Sequence, residues 1–149
     1  MAGLADRPAD ATTATTTFNV SAVIPASCML SASTLPFGIY SGVETNTVAT
    51  VDVTCTNTTP YTVGLNAGTA PGATVNTRRM IGPNAAELKY ALYQDVARTL
   101  NWGETVGTDT VSAIGNGKAQ AISIYGQITP GQLVAPGAYV DLIVATVTY

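Results

Sequence analysis

Short runs of alternating apolar and polar residues, punctuated by Gly, Pro and Asn, recur along this chain and constrain its fold more than any other feature. Successive side chains of a strand point to opposite faces, so period-two alternation marks a half-buried strand. In residues 18–24, Phe18, Val20, Ala22 and Ile24 share one face, with Asn19, Ser21 and Val23 opposite. Pro25 lacks a backbone donor and ends that run. Val51 and Val53 alternate within residues 47–55, and residues 61–65 and 119–128 read the same way. At the end of the chain Ile143, Ala145, Val147 and Tyr149 fall on one face. Shorter candidates lie at residues 28–31 and 35–40, and turn signals stand at Ser41-Gly42, Pro130-Gly131 and Pro136-Gly137. Strand-sized runs between turn signals predict an all-β sandwich or barrel.

Residues 84–102 admit two readings. Leu88, Leu92, Val96 and Leu100 recur every fourth residue behind Asn84, as in a capped amphipathic helix. Leu88, Tyr90 and Leu92 also alternate, as in a strand.

The 149 residues suffice for one domain with a real core. Only 10% are charged, well below the ~25% of an ordinary soluble domain. Thr, Ser, Asn and Gly take the place of charge. Such a surface stays wet without titrating, and it suits a repeating assembly, where like charges on each copy would repel. The net charge of −3 argues against a nucleic-acid partner, which needs a basic patch. No apolar run reaches the ~18 residues of a membrane span. The first ten residues carry no basic n-region or apolar h-region, so an intact signal peptide is not expected there.

The chain has no His, so it lacks the commonest general base and a frequent metal ligand. Its nine carboxylates are scattered, and no phosphate loop, nucleophile elbow or calcium loop is present. No catalytic residue, metal, cofactor or small-molecule substrate is therefore expected. Arg78-Arg79 reads as a surface pair. Trp102 reads as core, or alternatively as a stacking platform for a sugar on a monomeric secreted β-sandwich. Two Cys without a CxxC cannot complete a tetrahedral metal site. Cys28 and Cys55 are either free buried thiols or, as expected here, a disulfide formed in an oxidising compartment. That bond would stabilise the fold by roughly 3–4 kcal/mol in the chain-entropy model.

Several fragments occur together in a familiar order. Cys28 follows the first alternating run, and Leu35-Pro36-Phe37-Gly38 comes next. Val53-Thr54-Cys55 leads to Tyr61-Thr62-Val63-Gly64-Leu65-Asn66-Ala67-Gly68, and Leu88-Lys89-Tyr90-Ala91-Leu92-Tyr93 precedes Trp102-Gly103. Tyr125-Gly126-Gln127-Ile128 and Pro136-Gly137-Ala138-Tyr139-Val140-Asp141 lead into the terminal run. Over roughly residues 18–149 this order resembles the spore coat protein U domain family, which includes major pilins of archaic chaperone–usher pili. The resemblance favours strand over helix at residues 88–93.

The resemblance implies an incomplete immunoglobulin-like β-sandwich that lacks its final strand. It implies an N-terminal extension with a donor strand at residues 1–24 and a pilin domain at residues 25–149. A periplasmic chaperone would first fill the groove, and the extension of an identical subunit would replace it at an outer-membrane usher. The product would be an extracellular cell-surface fibre for adhesion and biofilm formation. Two-domain tip adhesins are longer, so this length favours a shaft subunit. Phe18, Val20, Ala22 and Ile24 have the alternation a donor strand needs. Burying them would contribute on the order of 5–8 kcal/mol before ordering costs. The implied groove is bordered by the terminal strand bearing Ile143, Ala145, Val147 and Tyr149. The other reading of residues 18–24 is the first strand of the chain's own domain.

Overall fold

Alternation decides which way each strand faces. In a computed structural model that describes residues 10–149, β2 (Thr45–Cys55) buries Ala49, Val51, Val53 and Cys55 and leaves the residues between them partly exposed. Residues 1–9, the start of the expected N-terminal extension, lie outside the described residues. β2 pairs along its length with antiparallel β8 (Ala119–Ile128), from Thr45 opposite Ile128 to Thr54 opposite Ala119. β1 (Cys28–Ala32) flanks β2 on one side, and β6 (Ala91–Tyr93) flanks β8 on the other, giving the order β1-β2-β8-β6.

The second sheet runs β7-β3-β9, from β7 (Val111–Ile114), β3 (Pro60–Leu65) and β9 (Ala145–Thr148). β3 presents Tyr61, Val63 and Leu65 to the first sheet, and all three are buried. Ile124, Ile128, Leu92 and Trp102 complete the core between the layers. Burial of each large side chain contributes about 1.5–3 kcal/mol. A short hairpin, β4 (Arg79–Ile81) with β5 (Glu87–Lys89), lies beside the sandwich. The two sheets do not close on one another, and the architecture is an all-β, open immunoglobulin-like sandwich.

Residues 84–102 form strands and loops. Leu88, Tyr90 and Leu92 are buried in alternation, whereas Val96 and Leu100 are 70% and 58% exposed. Asn84 caps no helix. It sits in the tight turn between β4 and β5 with φ at 53°. A core one strand deep rewards period two, because only one face of each strand can be covered.

The run at residues 35–40 is not a regular strand. Pro36 cannot donate to a ladder, and Gly38 turns the chain with φ at +74°. Leu35 and Phe37 are still half-buried, and a Cβ on Gly126 would fall 2.9 Å from the Phe37 ring. Arg78 is not a surface residue: it is completely buried, and only Arg79 is exposed enough to pair with Glu87. Trp102 is also completely buried, which rules it out as a sugar platform. Its indole N–H donates to the Val63 carbonyl at 2.8 Å. Cys28 and Cys55 are joined in a disulfide.

Residues 18–24 form no strand here. Residues 10–27 lie outside regular structure and are exposed throughout, with Phe18, Val20 and Ile24 all above 80% and Ala22 exposed beside them. The alternation is present, but among the described residues nothing covers it.

Candidate acceptor groove

β1 ends one sheet and β9 ends the other, and the two lie against each other on the same flank of the sandwich. Each therefore has one edge without a neighbouring strand among the described residues. Beyond their contact, where the chain continues from β1 at Ala32 and enters β9 at Ala145, runs an apolar depression. One cleft of about 430 Å³ is walled by residues 32–35 and by residues 139–143 with Ala145, and floored by Leu65, Leu92 and Ile124. A second, of about 680 Å³, continues along residues 35–40 and 134–139. Both clefts share Leu35, Phe37, Met80 and Tyr139 as walls. Phe37 meets the Tyr90 ring edge-on, with centroids 6.0 Å apart.

The wall at residues 140–144 precedes β9 and has no regular ladder. Val140 is bridged to Ile81, whose N–H donates to the Val140 carbonyl at 2.9 Å and whose carbonyl accepts the Val140 N–H at 3.1 Å. The Leu142 N–H donates to Asp141 Oδ1 at 2.8 Å. The Val144 N–H donates to Asn66 Oδ1 at 2.9 Å, and the Val144 carbonyl accepts the Asn66 N–H at 3.0 Å. The backbone groups of Asp141 and Ile143 have no partner among the described residues. Because a strand's backbone groups alternate sides, this leaves the groups of residues 141 and 143 to the open flank.

Asp141 also ties the wall to the domain. Its Oδ1 accepts the Thr69 N–H at 2.8 Å and the Thr69 hydroxyl at 2.9 Å, and its Oδ2 accepts the Tyr90 hydroxyl at 2.6 Å. Gly68 has φ at +83°, and a Cβ there would collide with the Asp141 carboxylate. Burial, and then the Asp141 carboxylate, push the Tyr90 hydroxyl far above the ordinary phenol range.

Beneath this wall the buried Arg78 guanidinium donates to four backbone carbonyls. Nε reaches Asn66 at 2.8 Å, Nη1 reaches Val75 at 2.9 Å, and Nη2 reaches Leu65 and Trp102 at 2.7 Å each. Burial lowers its pKa, opposed by Tyr90, Asp109, Asp141 and Glu104. A buried charge is tolerated only when it is hydrogen-bonded and compensated. Arg78 thus pins the loop after β3 to the loop carrying Trp102.

Ile143 and Ala145 line the first cleft, and Val147 is half-buried against the core. Tyr149 does not join that row: it lies one residue beyond β9 and is 58% exposed, next to Pro60 and Thr62. The exposed arm bearing Phe18, Val20, Ala22 and Ile24 joins the domain where Ser27 exchanges hydrogen bonds with Thr56, beside the Cys28–Cys55 bond. It leaves at the Cys28 end of β1, whereas the clefts begin at Ala32. Sequence reasoning missed Asn66, Tyr90 and Asp141 as wall supports and Met80 as lining, although the first three stand in the fragments that carried the resemblance. The groove offers apolar walls and unpaired backbone groups, the combination that takes up an extended peptide. Among the described residues no group of His, Cys, Asp or Glu gathers where it would hold a metal ion. No helix there is long and apolar enough to cross a membrane.

Comparison with known proteins agrees with this architecture. Protein U of Myxococcus xanthus is 36% identical over 159 residues, covering 95% of this chain and 88% of its own. The fold is similar to that of a chain in the CsuC–CsuE chaperone–tip adhesion subunit pre-assembly complex from archaic chaperone–usher Csu pili of Acinetobacter baumannii. The TM-score is 0.63 at 23% identity, covering 85% of this chain and 40% of that one. The Escherichia coli Hda pilus minor tip subunit HdaB aligns with a TM-score of only 0.36 at 19% identity, over 81% of this chain and 79% of its own, too slight to carry weight. The Spore Coat Protein U domain matches residues 14–146, and with that span and the Myxococcus relative this chain belongs to the Spore Coat Protein U domain family.

Proposed function

We propose that this chain is a major, shaft-forming pilus subunit that polymerises by donor-strand exchange, the arm of one copy occupying the groove of the next. The observation that carries this reading is a pair of complementary vacancies in one chain. An alternating apolar segment lies exposed at residues 18–24, and an open apolar groove lies between residues 32–40 and 134–145, adjoining two unpaired edges. A segment of that pattern completes such a groove by pairing its backbone with the edge and burying alternate side chains. The arm leaves the domain away from the groove, which favours exchange between copies over closure on itself. A subunit that both donates and accepts can occupy every internal position of a fibre, whereas a terminal subunit needs only the groove.

An empty groove is an aggregation-prone edge, so the subunit needs a periplasmic chaperone before assembly and an usher to exchange it. A chaperone-bound pre-assembly complex among the structural neighbours supports that partnership. The fibre is extracellular, on the cell surface, and serves adhesion and biofilm formation. The low charge of each copy suits close repetition.

The test compares the full chain with one lacking residues 1–24, both made in an oxidising compartment, sized and imaged by electron microscopy. Fibres or heat-labile ladders are expected from the full chain alone. The truncated chain should be soluble only with a chaperone or a peptide spanning residues 15–24. Equally stable monomers from both would overturn the reading.

A further inference from the structure

The geometry points to Asn66 and Asp141 as positioning residues that hold the groove wall at residues 140–144 in an extended, donor-ready state before any donor arrives. This inference rests on the donor-strand reading above. The wall faces an empty flank, so no neighbouring strand orders it on that side. On its other side the N–H groups of Leu142 and Val144, which a ladder would satisfy, are taken instead by Asp141 Oδ1 at 2.8 Å and Asn66 Oδ1 at 2.9 Å. Two side chains thus stand in for two ladder bonds.

Each is anchored away from the wall. Asp141 is held by Thr69 and Tyr90, from the loop after β3 and the core side of the groove. Asn66 Oδ1 also accepts the Gly68 N–H at 3.1 Å, and its backbone carbonyl accepts from buried Arg78. With the N–H groups of residues 142 and 144 held inward, the backbone groups of residues 141 and 143 are left for an incoming strand. A wall that had to order on binding would lower apparent affinity by the fraction of time it is ordered.

The experiment measures capture of a fluorescent peptide spanning residues 15–24 by the full-length Val20→Asp chain, whose own arm cannot fill a neighbour's groove, and by the same chain carrying each groove substitution, all kept dilute, by stopped flow and by equilibrium anisotropy. Asp141→Ala and Asn66→Ala should each weaken capture about tenfold, as for a wall ordered one-tenth of the time. Asp141→Asn and Asn66→Asp, which keep an acceptor oxygen, should recover most of the loss. Asp95→Ala is the control, because Asp95 caps an exposed loop through the Thr99 and Leu100 N–H groups, outside the groove lining. It should lower thermal stability and leave capture unchanged. Equal capture by the Val20→Asp parent and by its Asp141→Ala and Asn66→Ala derivatives would overturn the positioning role while leaving donor-strand exchange intact. A Val20→Asp chain with an otherwise intact groove that captures no peptide would overturn donor-strand exchange itself. Should Asp141→Ala fail to fold, Asn66→Ala decides, since it leaves the Asp141 contacts to Thr69 and Tyr90 in place.

Discussion

Tyr90 concentrates the chemistry of the groove floor in one hydroxyl. It is buried, donates to Asp141 and meets Phe37 edge-on. Its pKa is raised in the folded state, by burial first and by Asp141 second. The unfolded chain would ionise a tyrosine near pH ~10 while the folded chain holds it neutral. This contribution to stability is therefore complete below pH ~10 and falls as pH rises beyond it. Denaturant midpoints measured from pH 8 to 11.5 should decline above pH ~10, and Tyr90→Phe should flatten part of that decline. Tyr61, also raised by burial, supplies a further share. Arg78 and Arg79 show the limit of local reading. Adjacent and chemically identical, one is buried and the other half-exposed. Only the carbonyls of residues 65, 66, 75 and 102, assembled from separate loops, distinguish them.

Among elements, strands with one covered face were legible from alternation alone. β2, β3 and β8 lie within a few residues of their expected limits, because a core on one side imposes period two on whatever sequence forms it. Residues 88–93 follow the same rule against a competing helical spacing. Less legible were β4 and β7, too short to display a period, and residues 35–40, where Pro36 and Gly38 interrupt an otherwise suitable run. The arm carries the sharpest expectation at this scale. Val20→Asp would place a charge on the apolar face of residues 18–24, whereas Asn19→Ala alters the opposite face. Because Val20 is 86% exposed, Val20→Asp should leave the thermal midpoint of the isolated subunit within about 1 °C. It should abolish fibres seen by microscopy, with Asn19→Ala forming them normally.

The whole molecule is a sandwich with one flank open, and its stability should depend on what fills that flank. A peptide spanning residues 15–24 at a hundred times its Kd would add about 2.7 kcal/mol to the folded state. For a domain of this size that raises the thermal midpoint by about 10 °C. Calorimetry over a peptide series would check it, and a midpoint independent of peptide would count against the groove as an acceptor. From the sequence by itself came the all-β class, the outlines of the longer strands, the oxidised cysteine pair as the expected state, and an arm patterned for burial yet set apart by Pro25. These are local properties, carried by period, turn chemistry and residue type. The tertiary structure alone decided that Arg78 and Trp102 are buried and that β1 and β9 end their sheets on the same flank. It alone left the backbone of residues 141 and 143 without a partner among the described residues. Burial and edge exposure depend on segments far apart in the chain meeting in space, and no window of sequence contains them.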